Sequence, residues 1–534
     1  MNRKRPTMKA TRVSISPRDG LGAVKPRPVA GIIAARSRWA ILLAVLCAPA
    51  LVKAADANVD DGVPRLGMDP GEPQAPSPPP SIPFGVRPAE SKEYVLDFHG
   101  YLLLPAYLGL HERENPLPGQ SSLVLHSPPL VPQDLHTFDY TGVVPNPWLQ
   151  LNFIYGNSTV SATVILAGTS AIDAAGYYNP VDQMGVNDAY LTINLTKYFK
   201  IPFQLNVGAL TGRYGAMGSY DAGRYGTPLI AQTNTIGETI TTGLMLGSDF
   251  FLMLEQGLGG QMGRPPVGLV PAGWNDFADP NVGATFVNHV HLGLAYRRLA
   301  RLGFHYLTAW TQDDLAGGGT GTVPDGRITV MGGDLSLTLG RGGHLYLGGS
   351  HVWATNAATV SGAIEVLNAR GGDELISNYL GAASGGNGGL TIFGGQYDIS
   401  LARLVFGQWY TGLTPDVMIS LFGVGASVSS ADPTANGVLK VKGGVEATYT
   451  FLSWMGVSER FDHVRLTYSD SKNAFTSLSS RLLFHTGWRA RNEIALQYAY
   501  FIYGSSVDAL TGYPPVTPVN PDRQVFSLTG TIWW

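Results

Sequence analysis

The fold class that the sequence predicts is all-β: a transmembrane antiparallel β-barrel of sixteen to eighteen strands, with short periplasmic turns and long outer loops. Three observations predict it. Only 14% of the 534 residues are charged, while 67 are Gly and 10% are aromatic. Soluble chains carry roughly 25% charge, and a disordered chain would have more charge and fewer aromatics. Apolar and polar residues alternate with a period of two, over segments long enough to cross a bilayer at a tilt. The final segment, 525–534, alternates and ends on an aromatic, with Phe526, Leu528, Ile532 and Trp534 on one face. No run of about 18 apolar residues follows the N-terminal region, which excludes a multi-helix membrane protein.

The N-terminus reads as an address. Arg3, Lys4, Arg5, Lys9, Arg12 and further basic residues precede an apolar run from Trp39 to Val52, which ends at Val52-Lys53-Ala54. That is the order of a secretory signal, here residues 1–54 with a long basic leader; translation from Met8 would shorten it. The apolar run is too short to span a bilayer comfortably, so an uncleaved anchor helix is the lesser alternative. Without the signal the chain keeps 25 of its 36 basic and 38 of its 39 acidic residues, a net charge of −13, and no cysteine. A disulfide or thiolate metal site is then excluded. An acidic chain without a basic cluster gives no reason to expect nucleic acid as a partner. Residues 55–92 contain Pro70-Gly71-Glu72-Pro73 and Pro76-Ser77-Pro78-Pro79-Pro80. Such a stretch is stiff and coreless, and is expected to be a periplasmic linker.

Residues 93–534 are expected to form the barrel. In Thr285–Tyr296, His289 and His291 oppose Val290, Leu292 and Leu294. Leu390–Val405 has no turn signal and reads as one long strand, which makes the count eighteen. In Leu439–Phe451, Leu439, Val441, Val445, Tyr449 and Phe451 oppose Lys440, Lys442, Glu446, Thr448 and Thr450. In Arg460–Ser469, Val464, Leu466 and Tyr468 oppose His463, Arg465 and Thr467. In Glu493–Tyr503, Ile494, Leu496, Tyr498, Tyr500 and Ile502 oppose Glu493, Ala495, Gln497 and Ala499. Aromatics such as Trp148, Trp310, Trp353, Trp454 and Trp488 recur at strand ends, as in interfacial girdles. Short turns (Gly156-Asn157-Ser158, Gly247-Ser248-Asp249, Arg341-Gly342-Gly343, Arg489-Ala490-Arg491) alternate with long loops near 105–147, 168–188, 212–237, 258–284, 354–388 and 504–523. An even strand count keeps both termini in the periplasm. Strands near 188–210 are the weakest, and without them the count is sixteen.

Two end segments resemble maltoporin-type carbohydrate porins: Asp97-Phe98-His99-Gly100-Tyr101 in the first strand and Ile532-Trp533-Trp534 in the last. The resemblance covers fewer than ten residues. It implies an eighteen-stranded trimeric channel for small solutes with an aromatic track for sugars, although no track can be matched here residue by residue.

The expected function is passive diffusion of small hydrophilic solutes, with carbohydrates as a candidate class, across the outer membrane of a Gram-negative bacterium. The expected partners are outer-membrane lipid, the solutes, two further copies in a homotrimer, and the barrel-assembly machinery through the C-terminal strand. An outer-membrane hydrolase and an adhesin or secretion barrel are the alternatives. No Gly-x-Ser-x-Gly, phosphate-loop or His-Glu-x-x-His pattern occurs, so no catalytic residue and no cofactor is expected.

The expected constriction is the third outer loop, within Gly212–Glu238, through Arg213, Tyr214, Tyr220, Asp221, Arg224 and Tyr225; a plain surface loop is the alternative. Wall candidates are Asp97, His99, His289, His291, Lys440, Lys442, Glu446, Arg465, Arg481, His485, Glu493 and Gln497. A charge is tolerated in a wet lumen, whereas a Lys or Arg facing mid-bilayer costs roughly 2–4 kcal/mol. Lys440, Lys442, Arg465 and Arg481 on neighbouring strands would make the wall locally positive. No metal is expected, because His289 and His291 have no third ligand nearby in sequence.

Overall fold

Alternation, not apolar run length, builds this chain. The computed structural model describes residues 94–110, 148–169, 183–215, 230–261, 284–312, 325–406, 416–504 and 523–533, apart from 298, 341, 361, 368, 466, 473 and 486–490. The expected signal and linker therefore lie outside the described residues.

The first eleven strands are β1 (Val95–Leu110), β2 (Trp148–Gly156), β3 (Val160–Thr169), β4 (Gln183–Asn194), β5 (Phe203–Tyr214), β6 (Ala231–Leu246), β7 (Phe250–Gln261), β8 (Ala284–Tyr296), β9 (Ala300–Gln312), β10 (Arg327–Leu339) and β11 (Gly343–Thr355). Two short strands follow, β12 (Ile364–Val366) and β13 (Ala369–Arg370). The remaining seven are β14 (Gly388–Ser400), β15 (Asp416–Ser430), β16 (Leu439–Leu452), β17 (Met455–Arg465), β18 (Ala474–Phe484), β19 (Arg491–Tyr503) and β20 (Arg523–Trp533). The long strands pair antiparallel with their neighbours, and β11 pairs directly with β14. β1 pairs with β2 on one side and β20 on the other, so the sheet closes. The result is an antiparallel barrel of eighteen strands, with β12 and β13 outside the ring of staves.

Paired residues share a face, which fixes the two sides. Ile236, Leu258, Phe393, Leu421, Leu478, Leu496 and Leu528 are exposed on the outside. Their opposite-parity neighbours include buried Asn152, Thr241, Gln396, Glu446 and Ser527. A water-soluble protein rarely exposes so extended an apolar surface, whereas a barrel in lipid requires it.

One strand departs from the sequence reading. In β17 the inward set is Ser458, Arg460, Asp462 and Val464, all buried. Arg465 pairs with outward Val441 and therefore faces outward, at the loop end of its strand. There its guanidinium lies 5.4 Å from the Tyr468 ring centroid and donates to the Tyr468 carbonyl at 3.3 Å. Assigning Arg465 to the inner wall is thus corrected. At the barrel rim an outward Arg costs only about 0–1 kcal/mol. The parity was misread because inward Val464 is apolar; it belongs to a buried aliphatic cluster at the loop end.

The strand expected over Leu390–Val405 also ends early. It stops at Ser400, whose Oγ accepts the Arg403 amide at 3.1 Å as a helix N-cap. Asp416 accepts from Ser400 Oγ (2.6 Å) and the Ala402 amide (2.8 Å), and helix α3 (Leu401–Phe406) follows. Two earlier helices are α1 (Thr196–Phe199), which joins β4 to β5, and α2 (Gly371–Leu375).

Candidate functional site

Among the described residues, two segments leave the staves at the loop end and cover the lumen. The larger is the connection between β11 and β14, residues 356–387, the sixth loop at that end. It contains β12, β13, α2, a π-helical turn over Ile376–Leu380 and a 3₁₀ turn over Ala382–Ser384. Gly372 lies so close to the Ala357 carbonyl oxygen that a Cβ there would collide with it. Val360, Ile364, Val366, Leu367, Leu375 and Leu380 are buried among inward Val287, Leu307, Ile328, Val330, Val352 and Leu390. Burying each aliphatic contributes about 1.5–3 kcal/mol, so six contribute on the order of 10 kcal/mol as an upper figure. A conformational equilibrium with a populated minor state spans only a few kcal/mol. The sixth loop is therefore a fixed part of the lumen.

Polar contacts pin it from several sides. Lys440 Nζ donates to the Asn378 carbonyl at 2.6 Å and lies 5.2 Å from the Tyr379 ring centroid. Tyr379 OH donates to the Leu367 carbonyl at 3.2 Å. Thr311 and Thr359 hydroxyls meet at 3.1 Å. Asp432, in the β15–β16 connection, accepts from the Ala383 amide at 3.0 Å and from the Thr434 hydroxyl and amide at 2.7 and 2.8 Å. The Thr434 bonds first, then Ala383, hold the Asp432 carboxyl below its ordinary range. A depressed carboxylate contributes stability above its unfolded value near pH 4, and loses it as pH falls through the lowered value. Amide-exchange protection at Ala383 is thus expected to hold at neutral pH and to fall below about pH 4. Asp432→Ala should lose it at every pH, and unchanged protection in that variant would contradict the anchor.

The smaller segment is the loop end of the β5–β6 pair, described as far as Gly215 and from Ile230, and called the tip below. Gly208 and Gly237 pair across it, and neither site has room for a Cβ. β6 pairs with β7 only from Ile236 towards its turn end; beyond, Ala231–Thr233 pair with β12 instead. Thr211 Oγ1 donates to Asp188 Oδ1 on β4 at 2.6 Å. The bend carries Tyr214, 2% exposed, to imidazoles three and four strands away. Its ring centroid lies 5.4 Å from that of His289, 5.9 Å from His291 and 6.2 Å from His305. His289 Nε2 is 3.7 Å from Glu255 Oε1, and its ring covers Gly257, where a Cβ would strike it. His305 Nε2 reaches across Gly332 to Ser350 Oγ at 2.8 Å. The two glycines thus seat the imidazoles apart, and among the described residues no three His, Cys, Asp or Glu side chains converge as a metal site.

A charged network occupies β16–β18. Arg460 donates to both Asp462 carboxylate oxygens at 2.8 and 2.7 Å, and its Cζ lies 4.8 Å from the Phe422 ring centroid. Arg481 bonds Glu446, which also accepts from Ser458 Oγ at 2.6 Å. The side chains of these four charged residues are 4–8% exposed. The basic side chains here are thus offset by carboxylates in the same network, and Arg465 is not among them.

The other wall candidates are distributed as follows. Lys442, Glu493 and Gln497 are inward and buried, and His291 is inward and half-buried. Asp97 and His99 face inward near the turn end, with His99 Nδ1 3.7 Å from Asp97 Oδ2. His485 follows β18, its Nε2 3.8 Å from Glu493 Oε2. In the expected constriction loop, Arg213 is a β5 residue paired with Gln232. Tyr220, Asp221, Arg224 and Tyr225 lie outside the described residues. Sequence reasoning missed Glu255, His305, Arg460 and Asp462, and passed over 356–387 as one long loop among several. The run of Val360, Ile364, Val366 and Leu367 in a supposed outer loop was the available signal, since an exposed loop has no use for it.

No family model matches the chain, and no curated protein matches it. Similar solved structures include OccK11 (OpdR) of Pseudomonas aeruginosa, 10% identical over 84% of this chain and 98% of that one, with a TM-score of 0.39. OccK1 (OpdK) of the same organism is 11% identical over 84% and 100%, with a TM-score of 0.40. Wzi of Escherichia coli, an outer-membrane carbohydrate-binding β-barrel involved in group 1 capsule assembly, is 10% identical over 82% and 84%, with a TM-score of 0.39. The strand count and closure rest on this chain's own hydrogen-bond register.

Proposed function

We propose that the protein is an outer-membrane channel for passive diffusion of small hydrophilic solutes. The carrying observation is the distribution of side chains across the wall: aliphatics outside, and hydroxyl, amide and charged groups inside. That is the arrangement of a water-lined barrel in lipid. The sixth loop and the β5–β6 tip would set the aperture, and Asp97 and His99 would line the turn-end vestibule. Residues 1–54 would be the export signal and 55–92 a periplasmic linker. The C-terminal strand would be read by the barrel-assembly machinery. A homotrimer is proposed by analogy with porins of this size. Carbohydrate is the solute class that the end-strand resemblance implies.

Swelling of liposomes in sugars of graded size tests the reading. Wild type should admit the smallest sugars. A variant with Val360–Ser384 replaced by a short Gly-Ser linker should admit larger ones. If neither swells although both are inserted and folded, the channel reading is wrong.

A further inference from the structure

The β5–β6 tip leans on the sixth loop: Tyr214, Ile230 and Ala231 share its buried cluster, and the Leu367 amide donates to the Ile230 carbonyl at 3.2 Å. Its end-residue ring, Tyr214, sits among three inward imidazoles on β8 and β9. A glycine pair marks the bend, and beyond it β6 has exchanged β7 for three residue pairs with β12. His289 is 4% exposed and His305 wholly buried. Among the described residues His289 Nε2 and His305 Nδ1 have no hydrogen-bond partner. We propose that Tyr214 among His289, His291 and His305 is a latch released by protons, which regulates the aperture; the proposal rests on the diffusion-channel reading above.

The latch is consistent with neutral imidazoles only. A neutral ring can pack against Tyr214 with one nitrogen unsolvated at modest cost. An imidazolium at the same place must bury a charge and a second N–H donor, and burying a charge without pairing is far more costly. His291 and His305 are direct cross-strand partners on one face, so two protons place like charges side by side. Among the described residues, the charged and titratable groups around the tip are Asp188 on β4, Glu255 on β7, Arg301 on β9, Asp334 on β10 and Glu365 on β12. Arg301 and Asp334 neighbour each other and offset. Asp188 is engaged at the root of the tip by Thr211. Among the described residues one carboxylate, Glu255, adjoins His289, so it faces up to three new cations. Swinging Tyr214 out on the Gly208–Gly237 bend would admit water to all three rings. Release therefore accompanies protonation of the imidazoles.

The experiment is planar-bilayer conductance at pH 7.5 and pH 4.5 for four proteins. They are wild type, the triple variant His289→Asn/His291→Asn/His305→Asn, Tyr214→Ala, and the Gly-Ser-shortened sixth-loop variant. Wild type is expected to conduct at least threefold more at the lower pH. The triple variant should stay at the wild-type neutral value at both. Tyr214→Ala should be high at both, its folding checked by heat-modifiable mobility on gels. Wild-type conductance independent of pH overturns the latch, as does a rise that survives in the triple variant. In either case conductance of the shortened variant at pH 7.5 leaves the channel reading standing. Silence of all four folded proteins refutes the channel reading itself.

Discussion

On the proposed diffusion reading, Leu367→Asp with Leu380→Asp in the sixth loop is expected to raise single-channel conductance severalfold and to admit sugars that wild type excludes. Both leucines are at most 1% exposed within the aliphatic cluster. Each substitution forfeits about 1.5–3 kcal/mol of burial. Each also asks the cluster to take an unpaired ion, at an effective several kcal/mol apiece. Together these match the order of 10 kcal/mol that docks the loop. The volume-conserving pair Leu367→Met with Leu380→Met should cost under about 1.5 kcal/mol per site and leave conductance near wild type. Equal conductance of the Asp and wild-type proteins, both shown folded, would mean that this loop does not bound the aperture.

Arg460→Met is expected to destabilise the barrel by about 3–5 kcal/mol, because it strands charge rather than because it removes an attraction. Arg460 bonds both oxygens of Asp462 and lies 3.9 Å from Glu446. Removing it takes the guanidinium from two buried carboxylates and leaves them Arg481 and the nearby Lys442. The quadruple variant Glu446→Gln/Arg460→Met/Asp462→Asn/Arg481→Met should recover much of the loss, since replacing a whole buried network by neutral groups is often close to neutral. The outward Arg465→Met should shift stability by no more than about 0.5 kcal/mol, as surface changes ordinarily do. Urea unfolding in lipid vesicles reads all three. A large effect at Arg465 with little at Arg460 would reverse the facing of β17 argued here.

The alternation of β16 was legible because its two faces differ in kind, and that of β19 because its outward face is aliphatic and aromatic throughout although Ala499 and Phe501 are inward. Leu439, Val441 and Val445 stand against Lys440, Lys442 and Glu446, and no tertiary knowledge is needed to separate them. β17 was not legible in this way, since its inward face runs from Arg460 and Asp462 to Val464. Its apolar end is inward because the sixth loop covers it, and nothing within eleven residues of β17 records that. The same holds for His289 and His291, whose spacing gave a shared face but not the third imidazole. His305 arrives by strand pairing, and Tyr214 by a bend at two glycines.

The sequence by itself determined a closed, lipid-facing wall, because period-two alternation and low charge constrain each strand locally and a barrel is the sheet that leaves no edge in lipid. Tertiary structure alone decided what fills the mouth of that wall. A loop folds inward when its aliphatics find a matching apolar lining, and that match joins residues 364–380 to staves running from β5 to β19. Such complementarity lies between segments distant in sequence, where no local pattern can show it.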